Sequence, residues 1–583
     1  MRALSTTTQE RLVRLAPAAV ILLAPLVGVL VVRAPLMNNL AYRDPWFYSG
    51  YAWTLAHHVE IFGWFYYSVR FPVILPIRWA TDLFGPVTGY IVLRYLIFVG
   101  TGAVLYACFR RFTSVAVSCT AVALLAMSSF YLRMVLWDYT SFVAVPCAIA
   151  GVALWFMASV RGRVLWQFVG AGALLGAAVF ANALSASVLG ALLLVEGVSA
   201  LRNGPAELLR LVGRCASAAA GALLVFVGGY LAYSAYLGLF SPSEIVSPTI
   251  EFLRSQNQLA APLQRPISEF LRSEPRVYGP VLLSFALLVA WGRRFFDDSM
   301  PARLAQFSVA YVALLWLYRL VVTSSVIETW WAYDMTAVST AFGLPLLVEA
   351  LRARLAPRWT GWVIAAALLG TAVASFLVRR GNYHSVLLFN SIKAHRPLLL
   401  LLLAGGVVLA AALKLRQPYP RVVATAAFFG LFAAISLAPA TYIGISQTGE
   451  FAADGRGEYL GYRAAYDMSK LLEGPDQPDS RVMLWTTLVG LPVIAWTDLP
   501  HQGGTIVNPE APPQALNALD QYQLGFVKYP TTHGLLVMSE APADMSRALS
   551  ALKAAGVPAH LRKRGTWADG HLQYEFVDLD RNR

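Results

Sequence analysis

The sequence predicts a polytopic α-helical membrane protein with a smaller domain outside the membrane, and three observations support this. Hydrophobic residues make up 57% of the chain and charged residues only 13%, whereas a soluble domain carries about 25% charged residues. The mean hydropathy is +0.57. Many apolar stretches have the roughly 17 to 25 residues that a helix needs to cross a hydrocarbon core of about 30 Å.

Thirteen such stretches can be counted along the chain. Spans five and six are separated only by the letters NAL, so their division is the least distinct. The predicted spans are 15–32, 86–107, 114–131, 140–158, 165–181, 183–200, 215–236, 279–291, 304–322, 334–351, 362–378, 397–413 and 422–443.

The net charge of +14 and the pI of about 9.6 do not indicate a nucleic-acid partner. Most of the arginines lie in short loops between apolar stretches, where they are expected to set the topology of the membrane protein. With the N-terminus inside, the cytoplasmic loops are FRRFTS, SVRGRV, LRNGPAELLRLVGR, WGRRFFDDSMPAR, LRARLAPRW and KLRQPYPR, each with at least two basic residues.

One predicted outer loop, 378–397, breaks this charge rule because it also carries several cations. Either the count of spans slips at this point, or these charges face something anionic. The cations are Arg379, Arg380, Lys393 and Arg396.

We expect the chain to keep its first helix and to form no disulfides. Basic residues precede the first apolar stretch, but the stretch is long for a signal peptide and no convincing small-residue cleavage site follows it. The cysteines lie inside or at the ends of apolar segments, so none is placed to staple an exported domain. They are Cys108, Cys119, Cys147 and Cys215.

An odd number of spans places the polar region 446–583 on the outer face, as a domain separate from the transmembrane domain 1–445. The segments RVMLWTTLVG and HGLLVMSEA resemble buried strands, and HLQYEFVDLD alternates like a strand. ADMSRALSALKAAG has helical apolar spacing and ends on Gly556. These patterns predict a small α/β domain.

The first outer loop, 33–85, is too apolar to be only a solvated connection. From Trp46 onward it mixes aromatic residues with helical spacing, which predicts amphipathic helices lying along the membrane interface. Asp44 directly follows the first span, where a carboxylate costs free energy unless it is paired or used. Asp44 is therefore either a helix cap or salt-bridge partner of Arg43 or Arg70, or a functional acid.

Further acidic residues fall on the same predicted face. Asp138 lies between the third and fourth spans, shortly after Arg133. It either caps the fourth span or joins Asp44 in an outward-facing cavity. Glu328 and Asp334 lie at the predicted start of the tenth span. Three acidic clusters at outer span ends indicate a common cavity.

The histidines and tryptophans of the outer face give no specific site. Adjacent histidines on a helix point about 100° apart, and no third metal ligand follows by spacing. We therefore expect no metal site at His57, His58 and Glu60 and interpret these residues as interfacial. Tryptophans could stack on sugar rings, but an aromatic belt at the membrane interface predicts the same residues.

An ordered set of residues runs from the end of the first span into the second. An acid follows span one, then an aromatic loop, an R-x-P motif, a Phe-Gly pair and an arginine in span two. This order resembles the GT-C membrane glycosyltransferases that use lipid-phosphate-linked sugars. That group includes protein O-mannosyltransferases, the lipid A aminoarabinose transferase and rhizobial lipopolysaccharide transferases. The matching residues are Asp44, Gly63, Arg70, Phe71, Pro72, Phe84, Gly85 and Arg94.

The resemblance covers about 15–351 and implies a GT-C fold with a long outer loop, 237–278, and an exported C-terminal domain. It also implies a sugar donor on a polyprenyl phosphate, and Arg133 with Asp138 resembles the second acidic motif of the group. This chain departs from the pattern at Pro45, where many relatives have a second acid, which puts a metal requirement in doubt. It departs again at Arg70, where many relatives begin His-Pro-Pro, so the phosphate contacts are not defined by the pattern.

Transfer from such a donor needs a base for the acceptor hydroxyl, in-line placement and stabilisation of the departing phosphate. Asp44 is predicted as the general base, with inversion implied by the resemblance, and Asp138 orients the acceptor or the base. Guanidinium groups suit phosphate oxygens. The candidate phosphate ligands are Arg70, Arg319, Arg379, Arg380, Lys393 and Arg396. The candidate sugar or acceptor cavity contains Tyr42, Trp46, Tyr48, Arg133, Glu328 and Asp334.

The sequence thus predicts a glycosyltransferase of a bacterial plasma membrane, acting on an envelope lipid, polysaccharide or protein and needing no cofactor. A transporter or lipid flippase is the first alternative, but its polar residues would lie at mid-membrane, often in repeated halves. An O-antigen-type ligase or polymerase that uses a diphosphate-linked lipid is the second alternative, compatible with the basic loop 378–397.

Overall fold

The computed structural model describes the chain in several stretches. The helical part comprises residues 6–32, 43–55, 67–136, 140–161, 165–237, 278–321 and 325–353. The C-terminal part comprises the strands within 481–579, and isolated helical positions lie between these stretches. Inside some helices, among them at residues 43–47 and 325–333, only the backbone is described.

The helical part is built from thirteen described helices, numbered here in chain order. They are α1 (Thr6–Val32), α2 (Arg43–Trp53), α3 (Phe71–Phe84), α4 (Pro86–Phe109), α5 (Val115–Met127), α6 (Ser129–Leu136), α7 (Ser141–Arg161), α8 (Leu165–Ala181), α9 (Ala186–Asn203), α10 (Pro205–Leu237), α11 (Tyr278–Trp291), α12 (Met300–Val321) and α13 (Ser325–Arg352). Short 3-10 turns, Ala183–Ser185 and Gly292–Phe296, precede α9 and follow α11.

Six helices in the described part are long and apolar enough to cross a membrane, and four shorter apolar helices accompany them. The first ten predicted spans all fall on these helices. Spans five and six are confirmed as separate helices, because α8 ends at Ala181 and α9 begins at Ala186. The last three predicted spans, 362–378, 397–413 and 422–443, lie outside the described residues, so the total of thirteen stays a prediction.

The third predicted span, 114–131, is not one continuous helix. The chain is extended at Ser128, with φ −71° and ψ 109°, and this residue separates α5 from α6. The Ser128 hydroxyl accepts a hydrogen bond from the backbone N–H of Tyr131 at 3.4 Å. A serine that caps the next helix offers the backbone an alternative to a continuous helix, which apolar periodicity alone does not reveal.

The tenth predicted span begins too late. The sequence placed Asp334 at the start of the span, whereas α13 begins at Ser325 and Asp334 lies in its third turn. An acidic residue lowers the mean hydropathy and so marks the end of a predicted apolar span. A helix, however, continues as long as its backbone hydrogen bonds continue. Asp334 is therefore inside the helix, not at its end.

Long-range contacts divide the helix bundle into two ends. The first-loop end contains α2, α3, the start of α7 and the junction of α8 with α9, which Arg70 and Asp334 connect. The basic-loop end contains residues 110–114, 203–205 and 292–299, which are connected by contacts such as that of Asn203 with Asp298. Where the structure describes them, the predicted outer loops lie at the first-loop end and the predicted cytoplasmic loops at the basic-loop end.

Helices α8 and α10 approach each other at small residues. A Cβ built at Gly172 would overlap the backbone carbonyl of Ala218, and one built at Gly221 would overlap the carbonyl of Val169. Both positions are thus glycine because the two backbones touch. Such close crossings of small residues are typical of helices that associate in a membrane.

The strands of the C-terminal region are β1 (Arg481–Thr486), β2 (Gln502–Ile506), β3 (Gln523–Leu524), β4 (Val527–Lys528), β5 (Thr532–Ser539), β6 (Ala559–Trp567) and β7 (Leu572–Leu579). Five of them form a mixed sheet in the order β2-β1-β5-β7-β6, and β3 pairs with β4 separately. Strands β2 and β5 are parallel to β1, whereas β7 is antiparallel to β5 and β6.

The three strands predicted from the sequence are confirmed as β1, β5 and β7. The predicted helix at 543–556 falls mostly outside the described residues, although Ser546, Ser550 and Lys553 are helical. The sequence analysis missed β6, which carries a run of basic residues and lies at the edge of the sheet. The predicted domain boundary at 446 lies outside the described residues.

Candidate functional site

A carboxyl group is buried inside the helix bundle toward the first-loop end. Asp334 exposes 5% of its surface. Its Oδ1 accepts a hydrogen bond from Ser141 Oγ at 3.1 Å, and its Oδ2 accepts one from Asn182 Nδ2 at 3.5 Å. Ser141 is the first residue of α7, and Asn182 precedes the 3-10 turn before α9. One carboxyl group therefore joins three segments of the chain.

A buried arginine contacts the residue that precedes Asn182. Arg70 precedes α3, is 1% exposed, and donates a hydrogen bond from Nη1 to the carbonyl of Ala181, the last residue of α8. The last carbonyls of a helix have no partner within the helix, so the guanidinium satisfies one and ties α3 to α8. The predicted contact of Arg70 with a phosphate therefore requires a phosphate that enters the bundle.

Helix α2 and the segment before α3 pack inside the protein. Residues 48–55 are all buried. Ser49 Oγ lies 2.7 Å from Tyr90 Oη of α4, and Tyr233 Oη of α10 donates a hydrogen bond to the Ser68 carbonyl at 2.8 Å. The first loop forms helices, as predicted, but these residues are covered by other helices instead of lying only along the membrane interface.

Of the two predicted catalytic acids, the structure describes only the backbone of Asp44. Asp44 is the second residue of α2, so it stands at the end of a helix that packs into the first-loop end. Its side chain, like that of Arg133 in α6, lies outside the described residues. Asp138 also lies outside them, between α6 and α7.

Of the predicted cavity residues, Tyr48 is described in full and is completely buried. Its ring meets the ring of Tyr67 edge to face, with centroids 5.3 Å apart. Trp46 lies in α2 and Glu328 in α13, but their side chains are outside the described residues, as is all of Tyr42. Tyr48 thus shows that α2 turns an aromatic side chain toward the interior.

The other predicted phosphate ligands divide into one described residue and one loop. Arg319 lies in the last turn of α12 and is 2% exposed, so it is a second buried cation toward the first-loop end. Arg379, Arg380, Lys393 and Arg396 lie outside the described residues.

Sequence reasoning missed Ser141 and Asn182 as members of the site. In the sequence, Asn182 is the first residue of the NAL segment between two predicted spans. That position predicts a break between helices but does not identify a hydrogen-bond partner. Nearby hydroxyl groups were also missed. In the described part of the chain, no hydrogen-bond partner is found for the buried hydroxyls of Thr140, Ser339 and Thr340. They keep hydrogen-bonding capacity for a polar group that enters.

No cluster of metal-ligating side chains is found among the described residues. His57 and His58, which the sequence raised and set aside as ligands, lie outside the described residues with Glu60. The donors around Asp334 are a hydroxyl and an amide, so the described cluster is a hydrogen-bonded polar site.

A cavity of about 250 Å³ lies at the opposite, basic-loop end. Its lining includes Phe112, Trp291, Arg294 and Glu349. None of the predicted site residues lines it. The volume of this cavity therefore does not locate the chemistry, and the buried polar groups toward the first-loop end are the better candidate.

The arrangement toward the first-loop end can hold a charged headgroup away from bulk water. Ionisable side chains buried in a membrane bundle are costly and normally mark a ligand path or reaction site. Here a carboxyl group, two guanidinium groups and several hydroxyls are buried in the half of the bundle toward the first-loop end.

Comparison with known proteins gives matches among solved structures. No protein-family model matches the chain, and none of the curated proteins matches it. The crystal structure of ArnT from Cupriavidus metallidurans bound to undecaprenyl phosphate is similar with a TM-score of 0.49 and 13% identity, over 99% of both chains. The apo oligosaccharyltransferase of Archaeoglobus fulgidus is similar with a TM-score of 0.42 and 12% identity, over 89% of this chain and 69% of that one.

A third similar structure is AglB from Archaeoglobus fulgidus in complex with an inhibitory peptide and a dolichol-phosphate. Its TM-score is 0.39 with 12% identity, over 96% of this chain and 74% of that chain. ArnT and AglB are members of the GT-C fold, the group that the sequence resembles. With TM-scores below 0.5 they assign no activity to this chain, which is inferred below from its own residues.

Proposed function

We infer that this protein is a GT-C glycosyltransferase that moves a sugar from a polyprenyl-phosphate donor to an acceptor of the cell envelope. The observation that supports this most directly is the buried polar cluster of Asp334, Ser141 and Asn182, which the Ala181 carbonyl connects to Arg70. Arg70 directly precedes α3, and α2, the helix that carries Asp44, packs on α3. A lipid-linked donor brings its headgroup to this depth from within the bilayer, so the site needs no path from bulk water.

Asp44 acts as the general base in this proposal. It removes the proton from the acceptor hydroxyl while the oxygen attacks the anomeric carbon from the face opposite the phosphate, so the configuration inverts. The bond between the anomeric carbon and the phosphate oxygen breaks, and the polyprenyl phosphate leaves with the electron pair. Base catalysis of this kind is worth about 10²- to 10⁴-fold in rate. Asp138 orients the acceptor or the base.

Cations stabilise the departing phosphate. Arg70 and Arg319 are buried toward the first-loop end, where a guanidinium interacts with an oxyanion more strongly than it would in water. Arg379, Arg380, Lys393 and Arg396 of the basic outer loop are proposed as further phosphate ligands. The sugar or acceptor lies against Tyr42, Trp46, Tyr48, Arg133 and Glu328. Asp334, the other predicted cavity residue, acts through its contacts with Ser141 and Asn182.

The proposed location is the plasma membrane of a bacterium, with the N-terminus in the cytoplasm and region 446–583 outside. The donor then reaches the site from the outer leaflet and meets an exported lipid, polysaccharide or protein. Sugars of the hexose and pentose classes both fit this chemistry. No divalent metal is required in the proposal, because the phosphate is already an activated leaving group.

The test is sugar transfer by the purified protein in detergent from a panel of synthetic polyprenyl-phosphate sugars to an envelope extract. Asp44→Asn should lower the rate at least 100-fold in folded protein, and EDTA should leave the wild-type rate unchanged. Asp82→Asn is the matched control, since Asp82 is an exposed acid on α3 paired with Arg78 at 3.8 Å.

Full activity of Asp44→Asn would overturn the base assignment. Donor lipid that crosses the bilayer of a proteoliposome without loss of its sugar would overturn the transferase and favour a flippase. A loss of activity in Asp82→Asn equal to that in Asp44→Asn would show that the effect is not specific to Asp44.

A further inference from the structure

Asp334 is placed to control the shape of the site through two separate contacts. Its two carboxyl oxygens reach different chain segments, Oδ1 to the Ser141 hydroxyl at 3.1 Å and Oδ2 to the Asn182 amide at 3.5 Å. These partners are 193 and 152 residues away in the sequence. A single side chain thus fixes the start of α7 and the junction of α8 with α9 against α13.

Asn182 is held at both ends of its amide group. Its backbone is extended, with φ −146° and ψ 113°, and its Oδ1 accepts a hydrogen bond from the backbone N–H of Leu184 at 3.1 Å. Its Nδ2 is the group that donates to Asp334. The contact with Asp334 therefore selects one orientation of the amide and, with it, one conformation of the junction.

The junction also contacts Arg70 directly. The residue before Asn182 is Ala181, whose carbonyl accepts a hydrogen bond from Arg70 Nη1. This contact occupies one of the five N–H donors of the guanidinium and constrains the plane of the others. A continuous path of contacts runs from Asp334 through Asn182 and Ala181 to Arg70.

We propose that Asp334 is a positioning residue that, through Asn182 and the Ala181 carbonyl, sets the presentation of the Arg70 guanidinium to the lipid phosphate of the donor. This rests on the function proposed above. Asp334 needs no contact with the reacting atoms for this role. Its effect is on the binding of the donor phosphate, which Arg70 contacts, and not on removal of the acceptor proton.

The variant that tests the path is Asn182→Asp. Aspartate can still accept the hydrogen bond from the Leu184 N–H and remains a favourable capping residue, so the turn itself is retained. Only the face toward Asp334 changes, where two carboxyl groups now oppose each other. The loss of this buried hydrogen bond predicts that the donor KM rises about tenfold, with kcat unchanged.

The reciprocal double variant should reverse this effect. Asn182→Asp combined with Asp334→Asn restores one amide and one carboxyl group across the same contact. The donor KM should return to within about threefold of the wild-type value, which is under 1 kcal/mol by the relation between affinity and free energy. A merely structural role would lower the fraction of active protein, which lowers the apparent kcat at constant KM.

The chain offers a matched control at the basic-loop end. Asn203 Nδ2 donates a hydrogen bond to Asp298 Oδ2 at 3.2 Å, so Asn203→Asp also opposes two carboxyl groups. That variant should leave the donor KM unchanged. If Asn182→Asp does not fold, Asn182→Ala removes the same contact and carries the same expectation for KM.

Binding of undecaprenyl phosphate, measured by native mass spectrometry, separates failure of this proposal from failure of the proposed function. If the wild type transfers sugar but Asn182→Asp keeps its donor KM, or the double variant does not recover, the positioning role is wrong and the transferase stands. If the wild type transfers no sugar, yet binding falls in Asn182→Asp and recovers in the double variant, the positioning role stands and the transferase is wrong. Absence of both transfer and binding overturns both.

Discussion

The two ends of the helix bundle treat buried charge in different ways. At the basic-loop end, Glu196 of α9 is nearly completely buried and pairs with Arg303 at 2.8 Å and Arg214 at 3.5 Å. Toward the first-loop end, Asp334 instead accepts hydrogen bonds from a hydroxyl and an amide, and Arg70 donates to a backbone carbonyl. Among these contacts, ion pairs join helices at one end, and at the other end a carboxyl group and a guanidinium are hydrogen-bonded to neutral groups.

This difference in contacts indicates that the two groups of buried charges have different roles. A carboxylate between two guanidinium groups is already neutralised and has little to offer a ligand. The carbonyl that Arg70 contacts is a neutral dipole, which directs the guanidinium without carrying a charge of its own. We therefore propose that the basic-loop end anchors the helices and that the first-loop end binds the substrate.

Removal of the Glu196 carboxylate should have the largest effect on folding. Glu196→Ala leaves Arg303 and Arg214 without their shared partner inside the bundle, which predicts a loss of about 3–5 kcal/mol in the free energy of unfolding. Unfolding in mixed micelles of mild detergent and SDS measures it. The control is Arg210→Ala, where an exposed pair with Glu207 is lost and the change should be under about 1 kcal/mol. Equal losses in both variants would abolish the contrast between buried and exposed pairs.

Loss of the buried cation at the other end should affect transfer most. Arg70→Ala removes the proposed phosphate ligand, and kcat/KM for the donor should fall about 100-fold in protein that remains folded. Arg303→Ala serves as the counterpart at the basic-loop end. It should destabilise the protein while the rate per folded molecule stays at the wild-type level. A similar fall in kcat/KM for both variants would mean that the two ends are not functionally distinct.

The crossing of α8 and α10 leaves no space for a larger side chain, so a substitution there should lower the free energy of unfolding. Gly172→Ala places a methyl group against the Ala218 carbonyl, and we expect a loss of about 1–3 kcal/mol. Gly213→Ala on α10 meets nothing within 4 Å and should instead stabilise the helix by about 0.5–1 kcal/mol. Thermal unfolding of the two variants should therefore shift in opposite directions, and a shift of the same sign would show that the backbones are not in contact.

The smallest expected effect concerns the contact between α2 and α4. Tyr90→Phe removes the hydroxyl that lies 2.7 Å from Ser49 Oγ, and the free energy of unfolding should fall by about 1 kcal/mol. The double variant with Ser49→Ala tests whether the loss belongs to this contact. If the two single losses simply add in the double variant, the hydroxyl groups do not interact.

Hydropathy predicted the helices well, because a segment that crosses lipid must be apolar and must form its backbone hydrogen bonds within a helix. It predicted the ends of helices less well. Asp334 was assigned to a helix start because an acid ends an apolar window, and Ser128 was overlooked because serine does not lower the mean hydropathy enough. Both errors arise at a side chain that forms a hydrogen bond, because hydropathy averaged over a window does not take hydrogen bonds into account.

The site could be predicted in part for the same reason. Arg70 and Asp334 are ionisable residues near apolar segments, so the sequence alone identifies them as unusual. Their partners Ser141, Asn182 and Ala181 carry no such mark, and they come from other helices far along the chain. Glu196 was missed inside a predicted span, because the two arginines that make its burial tolerable are likewise supplied by the fold.

The length of α10 has a consequence for the lipid around this protein. Its 33 residues span about 50 Å at 1.5 Å per residue, against a hydrocarbon thickness of about 30 Å. The helix therefore tilts in the bilayer, or its charged first turns extend into the headgroup layer. Since Arg214 ties α10 to Glu196 of α9, a change in tilt is shared with its neighbours. A change in bilayer thickness that altered this tilt would thus also change the angle between helices.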